Sequence, residues 1–300
     1  MRHCIPTQWF GYVAATLAAC LICSQMNGQQ VVLESAELGA TGRFGGTTVT
    51  SSQFVGWRFE TSVPLTIEQV GGHMLAIPEE LGDIFAAIIR LSSIDAMPLG
   101  APFTPEEVVA TTTFRPSFPS SEVMTSLSAD LRPGAYALVY GTGMFGATGA
   151  GAMHNGPDQP DIPPTTISSI IFWGLAYPGQ PYVWRTNLAS NIRFVIEAEE
   201  IHLPGDYNLD GDVDAADYNI WQTDFGSNTQ LAADGSENNI VDAADYVVWR
   251  ENLGTSIAGA AALLSVPEPA TAVLLVIAAV PLTLRKILNQ HDANGCLPTL

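Results

Sequence analysis

The sequence is poor in cysteine and in basic residues. Its four cysteines are Cys4, Cys20, Cys23 and Cys296, so residues 24–295 contain none. No disulfide can therefore staple the middle of the chain, and its stability has to come from a core and from bound metal. Lysine and arginine together number 11 against 30 aspartates and glutamates, which leaves a net charge of −19. Because this charge repels phosphates, we expect no nucleic-acid partner.

The sequence also lacks the short motifs that mark common catalytic sites. It contains no Gly-x-Ser-x-Gly elbow, no His-Glu-x-x-His, no phosphate loop and no dinucleotide fingerprint. His73, His154 and His202 are isolated and are expected in turns or at the surface. We therefore predict that the protein is not an enzyme. A polysaccharide hydrolase that uses two carboxylates distant in sequence leaves no short motif, and it stays as an alternative.

Two 12-residue segments, 28 residues apart, repeat one pattern of oxygen-bearing side chains. They span 206–217 and 234–245, and the hexapeptide Val-Asp-Ala-Ala-Asp-Tyr occurs in both repeats, at 213–218 and 241–246. Oxygen donors at positions 1, 3, 5, 9 and 12, with a main-chain carbonyl at position 7, have the ligand spacing of a calcium loop. The predicted ligands are Asp206, Asn208, Asp210, Asp212, Asp214 and Asp217 in loop 1, and Asp234, Ser236, Asn238, Ile240, Asp242 and Asp245 in loop 2.

The two loops differ in charge and at the sharp turn. Gly211 stands at position 6 of loop 1, and Asn239, the residue that best replaces glycine in a left-handed conformation, stands there in loop 2. Ser236 and Asn238 bring no charge, so we predict two Ca²⁺ sites of which the second is weaker. Residues 206–252 hold eleven acids and a single base, Arg250, a density that a cation would neutralise. A solvated acidic tail is the alternative.

An amphipathic helix is predicted after each loop and none before. Pro204-Gly205 argues against a helix that enters loop 1, while Gly226 and Gly254 stand where the two helices would stop. Spacings of three and four place apolar residues on one face of each helix, so the two faces can bury each other. These residues are Tyr218, Trp221 and Phe225, then Tyr246, Trp249 and Leu253. A unit this small has little core, so folding and metal binding should be coupled.

These features resemble a type I dockerin over about 204–254: a duplicated calcium loop with Asp at position 12, no entering helix, and a helix after each loop. The resemblance implies a module that docks onto cohesin proteins through positions 10 and 11 of each repeat. Those positions hold Ala215-Ala216 and Ala243-Ala244, where the family more often carries hydroxyl residues. A module that serves as a spacer or docks within its own chain is therefore the alternative to a cohesin-like partner.

The C-terminal part resembles the PEP-CTERM sorting signal of Gram-negative envelope proteins. It has Val266-Pro267-Glu268-Pro269, an apolar run over 270–284, and then Arg285-Lys286. The resemblance implies a membrane helix within 266–288, an exosortase-type processing enzyme, and transfer to the cell surface or matrix. The run is short for a membrane span, and its basic flank can snorkel. A buried helix is the alternative.

The N-terminal part has the layout of a secretory signal peptide, expected over 1–28. Arg2 precedes an apolar run from Trp9 to Cys23, and polar residues follow. Leu17-Ala18-Ala19-Cys20 also resembles a lipoprotein box, although the apolar run continues past it. We expect an exported protein that is anchored by its C-terminal helix before any processing.

Residues 31–200 predict a mainly β domain. They are rich in glycine, proline, serine and threonine, and they lack helical periodicity. Ten short β-branched or aromatic runs separated by turn signals favour an antiparallel sandwich or jelly roll. The candidate strands are 31–34, 55–61, 66–70, 85–91, 108–114, 123–126, 136–140, 167–172, 182–185 and 192–197. The order of two motifs, Trp57-Arg58-Phe59-Glu60 and then the run from Leu131 to Tyr140, is similar to that in β-sandwich modules of PEP-CTERM surface proteins.

A long loop and a group of aromatics suggest one possible ligand surface in this domain. Residues 141–164 read as a structureless loop that carries His154, Asn155, Asp158 and Asp161. The aromatics Trp173, Tyr177, Tyr182 and Trp184 follow soon after and are taken as exposed. A sugar-binding face would combine such aromatic platforms with polar neighbours. Core aromatics beside a mobile loop are the alternative.

Together these features predict a surface-sorted structural or adhesive protein in six segments. After the signal peptide come a β-sandwich (31–200), the calcium module (204–254), a linker (255–265), the sorting signal with its helix (266–288) and a tail (289–300). The main alternative is a carbohydrate-binding module that is attached to a scaffold through the dockerin-like part.

Overall fold

The structure, a computed structural model, describes residues 30–155, 160, 170–175, 177–186 and 191–257. Within these ranges the chain forms twelve strands and then two α-helices. The expected signal peptide, the sorting signal, the membrane helix at 266–288 and the tail lie outside the described residues. In the described part, no helix has the length and apolar character that a membrane crossing requires.

The strands form two antiparallel sheets, so the prediction of a mainly β, antiparallel domain is confirmed. The first sheet has the order β1-β12-β4-β9-β2, with β7 also paired to β4, and the second has the order β11-β10-β3-β8-β5-β6. The strands are β1 (Gln30–Glu34), β2 (Thr47–Val49), β3 (Gln53–Thr61), β4 (Leu65–Ala76), β5 (Ile84–Leu91), β6 (Val108–Phe114), β7 (Ser121–Leu131), β8 (Gly134–Gly141), β9 (Gly151–Met153), β10 (Ile170–Leu175), β11 (Tyr182–Thr186) and β12 (Phe194–Glu200). The helices are α1 (Ala215–Asp224) and α2 (Ala243–Asn252).

The main core lies between the two sheets. Alternate residues of β3, such as Trp57 and Phe59, share one buried cluster with Ile67 of β4 and Phe194 of β12. The Tyr140 ring on β8 stacks on the Phe194 ring with centroids 5.3 Å apart. Because strand side chains alternate between faces, this packing uses one face of each sheet.

The second sheet is also buried on its outer face. There Phe54, Phe85, Ile89 and Trp173 join a second cluster, which the chain segments around Phe103 and Ala147 cover. Burial on both faces explains why β5 reads as a continuous apolar run and not as an alternating one.

The prediction that 141–164 is structureless was wrong for 151–153, whereas 142–150 contain no helix or strand. Residues Gly151–Met153 form β9, which pairs with β2 on one side and with the end of β4 on the other. Both β2 and β9 have three residues, and Gly151-Ala152 gives no strand signal. Their pairing comes from tertiary contacts that local sequence does not encode.

Candidate metal centre

Both predicted calcium loops lie between irregular chain and a helix. Loop 1 (206–217) runs into α1 and loop 2 (234–245) runs into α2, whereas 201–205 and 226–233 contain no helix. The prediction of a helix after each loop and none before is confirmed. Position 9 supplies each N-cap: the Asp214 carboxylate accepts a bond from the Ala216 amide at 2.6 Å, and Asp242 accepts one from Ala244 at 2.7 Å.

The two loops share an unusual backbone bend. At position 4, Leu209 and Glu237 both have φ 58°, and at position 6, Gly211 has φ 89° and Asn239 has φ 68°. Left-handed φ values are uncommon outside glycine. Their recurrence at the same two positions means that both repeats follow one path. The prediction that Asn239 takes the left-handed conformation of the missing glycine is confirmed.

This bend turns loop amides towards the position-1 carboxylate. Asp206 accepts bonds from the Asp210 and Gly211 amides at 3.2 and 2.9 Å. Asp234 accepts the equivalent bonds from Asn238 and Asn239 at 3.0 and 2.8 Å. An ionised carboxylate has about four lone-pair sites, so two accepted bonds leave acceptor capacity for a further ligand.

Asp206 is buried and lies among other acids. Burial raises the pKa of its carboxyl, and the carboxylates of Asp217 and Asp210 raise it as well, while the bonds from the loop amides oppose this. A buried carboxylate beside like charges is unfavourable unless a cation or hydrogen bonds offset it. Among the described residues the loops contain no basic side chain, and the loop carboxylate with which Arg132 of the β7–β8 turn forms an ion pair is that of Asp212.

Position 12 closes each loop from the first turn of the helix. Asp217 and Asp245 are fully buried. Asp217 accepts bonds from the Tyr207, Asn208 and Asp214 amides at 2.8, 3.1 and 2.8 Å. Asp245 accepts bonds from the Ser236 and Asp242 amides at 2.8 and 2.6 Å, so each residue ties both ends of its loop together.

Positions 3, 5 and 7 line the open side of each loop. The amides of Asp210 and Asp212 donate to the Asn208 and Asp210 side chains at 3.0 and 2.9 Å, and the Ile240 amide donates to Asn238 at 2.8 Å. Asn208, Asp210 and Asn238 are exposed, which leaves their side-chain oxygens accessible.

Ser236, at position 3 of loop 2, tests whether the residues fit a cation. Its hydroxyl oxygen is buried and has no hydrogen-bond partner among the residues that the structure describes. A buried hydroxyl without a partner is unfavourable, and a hard cation is a partner that suits it. In the described part of the chain, no three His, Cys, Asp or Glu side chains form a group that could hold a metal by themselves. The donor set of each loop is mixed, with carboxylate, amide or hydroxyl, and main-chain oxygens, and this mixture fits calcium.

The helices pack through their aromatic faces. The Tyr218 ring lies 5.1 Å from the Trp249 ring, and the Trp221 ring lies 5.2 Å from the Tyr246 ring. The predicted contact between the two faces is therefore confirmed for these four residues. It was wrong for Phe225 and Leu253, which are 57% and 41% exposed because they follow the last helical residue and leave the shared face.

Main-chain contacts relate the two repeats by an approximate twofold symmetry. The indole N–H of Trp221 donates to the Asp242 carbonyl at 2.8 Å, and that of Trp249 donates to the Asp214 carbonyl at 2.7 Å. Val213 and Val241, at position 8, are buried, and each bonds to the chain that follows the helix of the other repeat. Neither loop is therefore complete without its neighbour.

The tandem also contacts the β domain through one arginine. Arg132, in the β7–β8 turn, forms an ion pair with Asp212 and donates to the Ser256 hydroxyl at 2.7 Å and the Ile257 carbonyl at 2.9 Å. Residues Thr255 and Ile257 bond in turn to Val213 and Gly211 of loop 1. Sequence reasoning missed Arg132, because nothing local links it to a partner 80 residues away.

The residues proposed for a sugar-binding face are only partly exposed. Trp173 is buried, whereas Tyr177 and Tyr182 are 75% and 41% exposed. Asn155 donates to the Thr47 hydroxyl at 2.8 Å, and Asp158 and Asp161 lie outside the described residues. His73 and His154, expected in turns or at the surface, are buried with rings 4.7 Å apart, while His202 is exposed as expected.

Comparisons with known proteins identify no family. No family model matches the chain, and no curated protein matches it. A chain of the infectious bursal disease virus Gx strain structure is similar at 8% identity with a TM-score of 0.21, over 58% of this chain and 37% of that one. A chain of the T13 viral particle of the same virus is similar at 12% identity with a TM-score of 0.18, over 74% of this chain and 51% of that one. The present chain thus spans less than two thirds of either, and scores this low carry no argument.

Proposed function

We propose that residues 204–254 form a calcium-binding, dockerin-like module in an exported, surface-sorted protein with a structural or adhesive role. Loop 1 would hold Ca²⁺ through Asp206, Asn208, Asp210, the Asp212 carbonyl, Asp214 and Asp217. Loop 2 would use Asp234, Ser236, Asn238, the Ile240 carbonyl, Asp242 and Asp245. Bound calcium supplies positive charge to the acidic tandem, and the protein performs no catalysis in this proposal.

One observation carries the proposal: the buried acids of the tandem outnumber the bases that could offset them. Asp206, Asp217 and Asp245 are at most 4% exposed. Arg132 contacts Asp212, which is not one of these three. Hydrogen bonds from amides offset part of the free-energy cost of burying these carboxylates, and a divalent cation within each loop would offset the rest.

The module's first partner in this proposal is its own β domain, which we take to be a sandwich of jelly-roll type. The contacts of Arg132 with Asp212, Ser256 and Ile257 favour docking within the chain. A cohesin-like protein remains the second partner, because Ala215, Ala216, Ala243 and Ala244 are exposed and free to meet another molecule. Export, exosortase-type processing and the membrane helix rest on the terminal segments.

Calorimetry of the full chain, first treated with EDTA, tests the proposal. We expect two Ca²⁺ binding events, the tighter at loop 1 because four of its side-chain donors are acids against three in loop 2. Asp217→Asn should abolish the tighter event and Asp245→Asn the weaker one. Glu251→Gln removes the same charge from an exposed position of α2 outside both loops, so it should leave both events unchanged.

Two results would contradict the proposal. One is the absence of any calcium binding to the EDTA-treated chain. The other is an equal loss of affinity in Asp217→Asn, Asp245→Asn and Glu251→Gln, which would indicate a diffuse attraction to the acidic surface instead of two coordinated sites.

A further inference from the structure

A cavity opens on the outer face of the second sheet, far along the chain from the acidic tandem. It has a volume of about 540 Å³, and its walls include Ser51, Phe54, Pro102, Thr142, Trp173 and Tyr182. Pockets that bind small molecules typically measure about 300–1,000 Å³. The cavity is therefore of a size that admits a small ligand.

The floor of the cavity is built from firmly held aromatic rings. Phe54 and Trp173 are 2% and 7% exposed. The Phe54 ring packs edge-on against the Phe85 ring at 5.1 Å, and Gly141 leaves room for both because a Cβ there would lie 2.5 Å from Phe54. Trp184 packs at 5.8 Å from Trp173, and its indole N–H donates to the Pro102 carbonyl. These contacts hold the floor in shape without a ligand.

Tyr182 forms the accessible wall. Its ring stacks against Trp173 with centroids 6.1 Å apart and an angle of 29° between the planes. The residue is nevertheless 41% exposed, so part of its surface is open to solvent. An aromatic ring that is fixed on one side and open on the other is a platform for the apolar face of a ligand.

Thr142 gives the cavity an unsatisfied polar group. The residue is 5% exposed and lines the cavity, and its hydroxyl oxygen has no hydrogen-bond partner in the described chain. Buried hydroxyls are normally hydrogen-bonded. This oxygen is almost fully shielded from water in the described chain, so a rotation of the Thr142 side chain towards the cavity is the step that would let a ligand hydroxyl bond to it.

The chemistry of the walls selects a neutral ligand. None of the described residues that line the cavity is charged, and their polar side chains include the hydroxyls of Ser51 and Thr142. The chain as a whole carries a net charge of −19. An anionic ligand would be repelled, and a cationic one would find no counter-charge in the walls.

We propose that this cavity binds a neutral sugar, with a pyranose ring stacked on Tyr182 and one of its hydroxyls bonded to Thr142. A pyranose combines an apolar C–H face with a rim of hydroxyls, and this combination matches an aromatic wall beside an unpaired hydroxyl. The site belongs to the β domain and does not depend on calcium in the tandem.

Titration of the full chain with neutral pentasaccharides tests the site. The probes are cellopentaose, xylopentaose and mannopentaose, with a galacturonic acid oligomer as the anionic counterpart, and the readouts are calorimetry and tryptophan fluorescence. We expect saturable binding of at least one neutral probe, weaker or no binding of the acidic one, and equal affinity in Ca²⁺ and in EDTA. Loss of sugar binding in EDTA would indicate that the sugar binds at the calcium-loaded tandem and would overturn the proposal.

Three variants locate the site. Tyr182→Ala should weaken binding about tenfold, because it removes the stacking wall. Thr142→Val keeps the shape and should weaken binding about fivefold while leaving thermal stability equal or higher, because it removes the unpaired hydroxyl. Tyr177→Ala is the control, since Tyr177 lies in the connection that leads into β11 and Tyr182, is 75% exposed and does not line the cavity. No saturable binding of any neutral probe, or equal effects of all three variants, would overturn the proposal.

Discussion

At the scale of single residues, position 2 is where the two calcium loops stop being equivalent. Tyr207 occupies it in loop 1 and Gly235 in loop 2. The Tyr207 hydroxyl crosses to loop 2 and donates to the Asp245 carbonyl at 2.7 Å. A Cβ on Gly235 would lie 2.6 Å from that hydroxyl oxygen. The missing side chain in loop 2 therefore makes room for the side chain that loop 1 sends across.

This relationship predicts that substitutions at the two positions are coupled. Gly235→Ala should lower the free energy of unfolding by about 1–2 kcal/mol, because the added methyl displaces the Tyr207 ring and its hydrogen bond. In a Tyr207→Phe background the same change should cost less, since the nearest atom is gone and the hydrogen bond is already lost. Urea unfolding of the original protein, the two single variants and the double variant, all in the presence of Ca²⁺, measures the coupling. Strictly additive losses would contradict the contact.

At the scale of elements, the two helices hold each other's loops. Each indole N–H bonds to the position-9 carbonyl of the opposite loop, Trp221 to Asp242 and Trp249 to Asp214. The position-9 carboxylates also cap the helices, as Asp214 does for α1. The start of each helix is thus fixed by the helix of the other repeat, and this explains why the two units have to fold together.

Replacement of each of the two tryptophans by phenylalanine tests these crossed hydrogen bonds. Trp249→Phe and Trp221→Phe each remove one indole bond, and each should lower the free energy of unfolding by about 1–2 kcal/mol, with the larger loss for the more buried Trp249. Calcium affinity should fall mainly at loop 1 for Trp249→Phe and at loop 2 for Trp221→Phe. Phe225→Leu, at a residue that is 57% exposed, should change stability by less than about 0.5 kcal/mol. If each variant instead lost calcium affinity mainly at the loop of its own repeat, the crossed contacts would be contradicted.

Local patterns predicted the elements well where the determining residues are close in sequence. The strand at 108–114 was predicted with its observed bounds, because the β-branched run of β6 lies between clear turn signals. The bend at Asn239 followed from loop spacing alone. Strands β2 and β9 were missed since three residues carry no period. The cavity was missed as well, because Phe54, Pro102, Thr142 and Trp173 come from four separate segments that only the tertiary fold brings together.

At the scale of the whole molecule, the tandem and the β domain meet at an ion pair of moderate exposure. Arg132 and Asp212 have side chains that are 29% and 39% exposed. The hydrogen bonds from Arg132, with a further one from Ser256, lower the pKa of the Asp212 carboxyl to about 2. Asp212 bears this contact on its side chain, whereas its predicted calcium ligand is its main-chain carbonyl. One residue can therefore serve both the loop and the interface.

The pH dependence of this contact follows from the direction of the shift. An unperturbed aspartate has a pKa of about 3.9. The ion pair therefore makes its full contribution to the free energy of unfolding above about pH 5, and this contribution is lost as the pH falls towards 2. Arg132→Gln should therefore lower the free energy of unfolding at pH 6 by about 1 kcal/mol or less, because solvent screens a pair this exposed. Near pH 2 the bonds from Arg132 to Ser256 and Ile257 remain, so the variant and the original protein should still differ, but by less than at pH 6. Denaturant unfolding of both proteins in saturating Ca²⁺, at a series of pH values, measures this difference.

Arg115 provides the matched control for this measurement. It pairs with Asp83 at 3.3 Å on the β domain, and the two side chains are 62% and 45% exposed. An ion pair that is this exposed contributes little to the stability of the folded protein. We expect Arg115→Gln to have almost no effect at any pH. A loss in Arg132→Gln that persists unchanged at pH 2 would contradict the role of Asp212, because only the carboxylate form attracts the arginine. An equal loss in Arg115→Gln would indicate a general effect of charge on the β domain instead of a contact with the tandem.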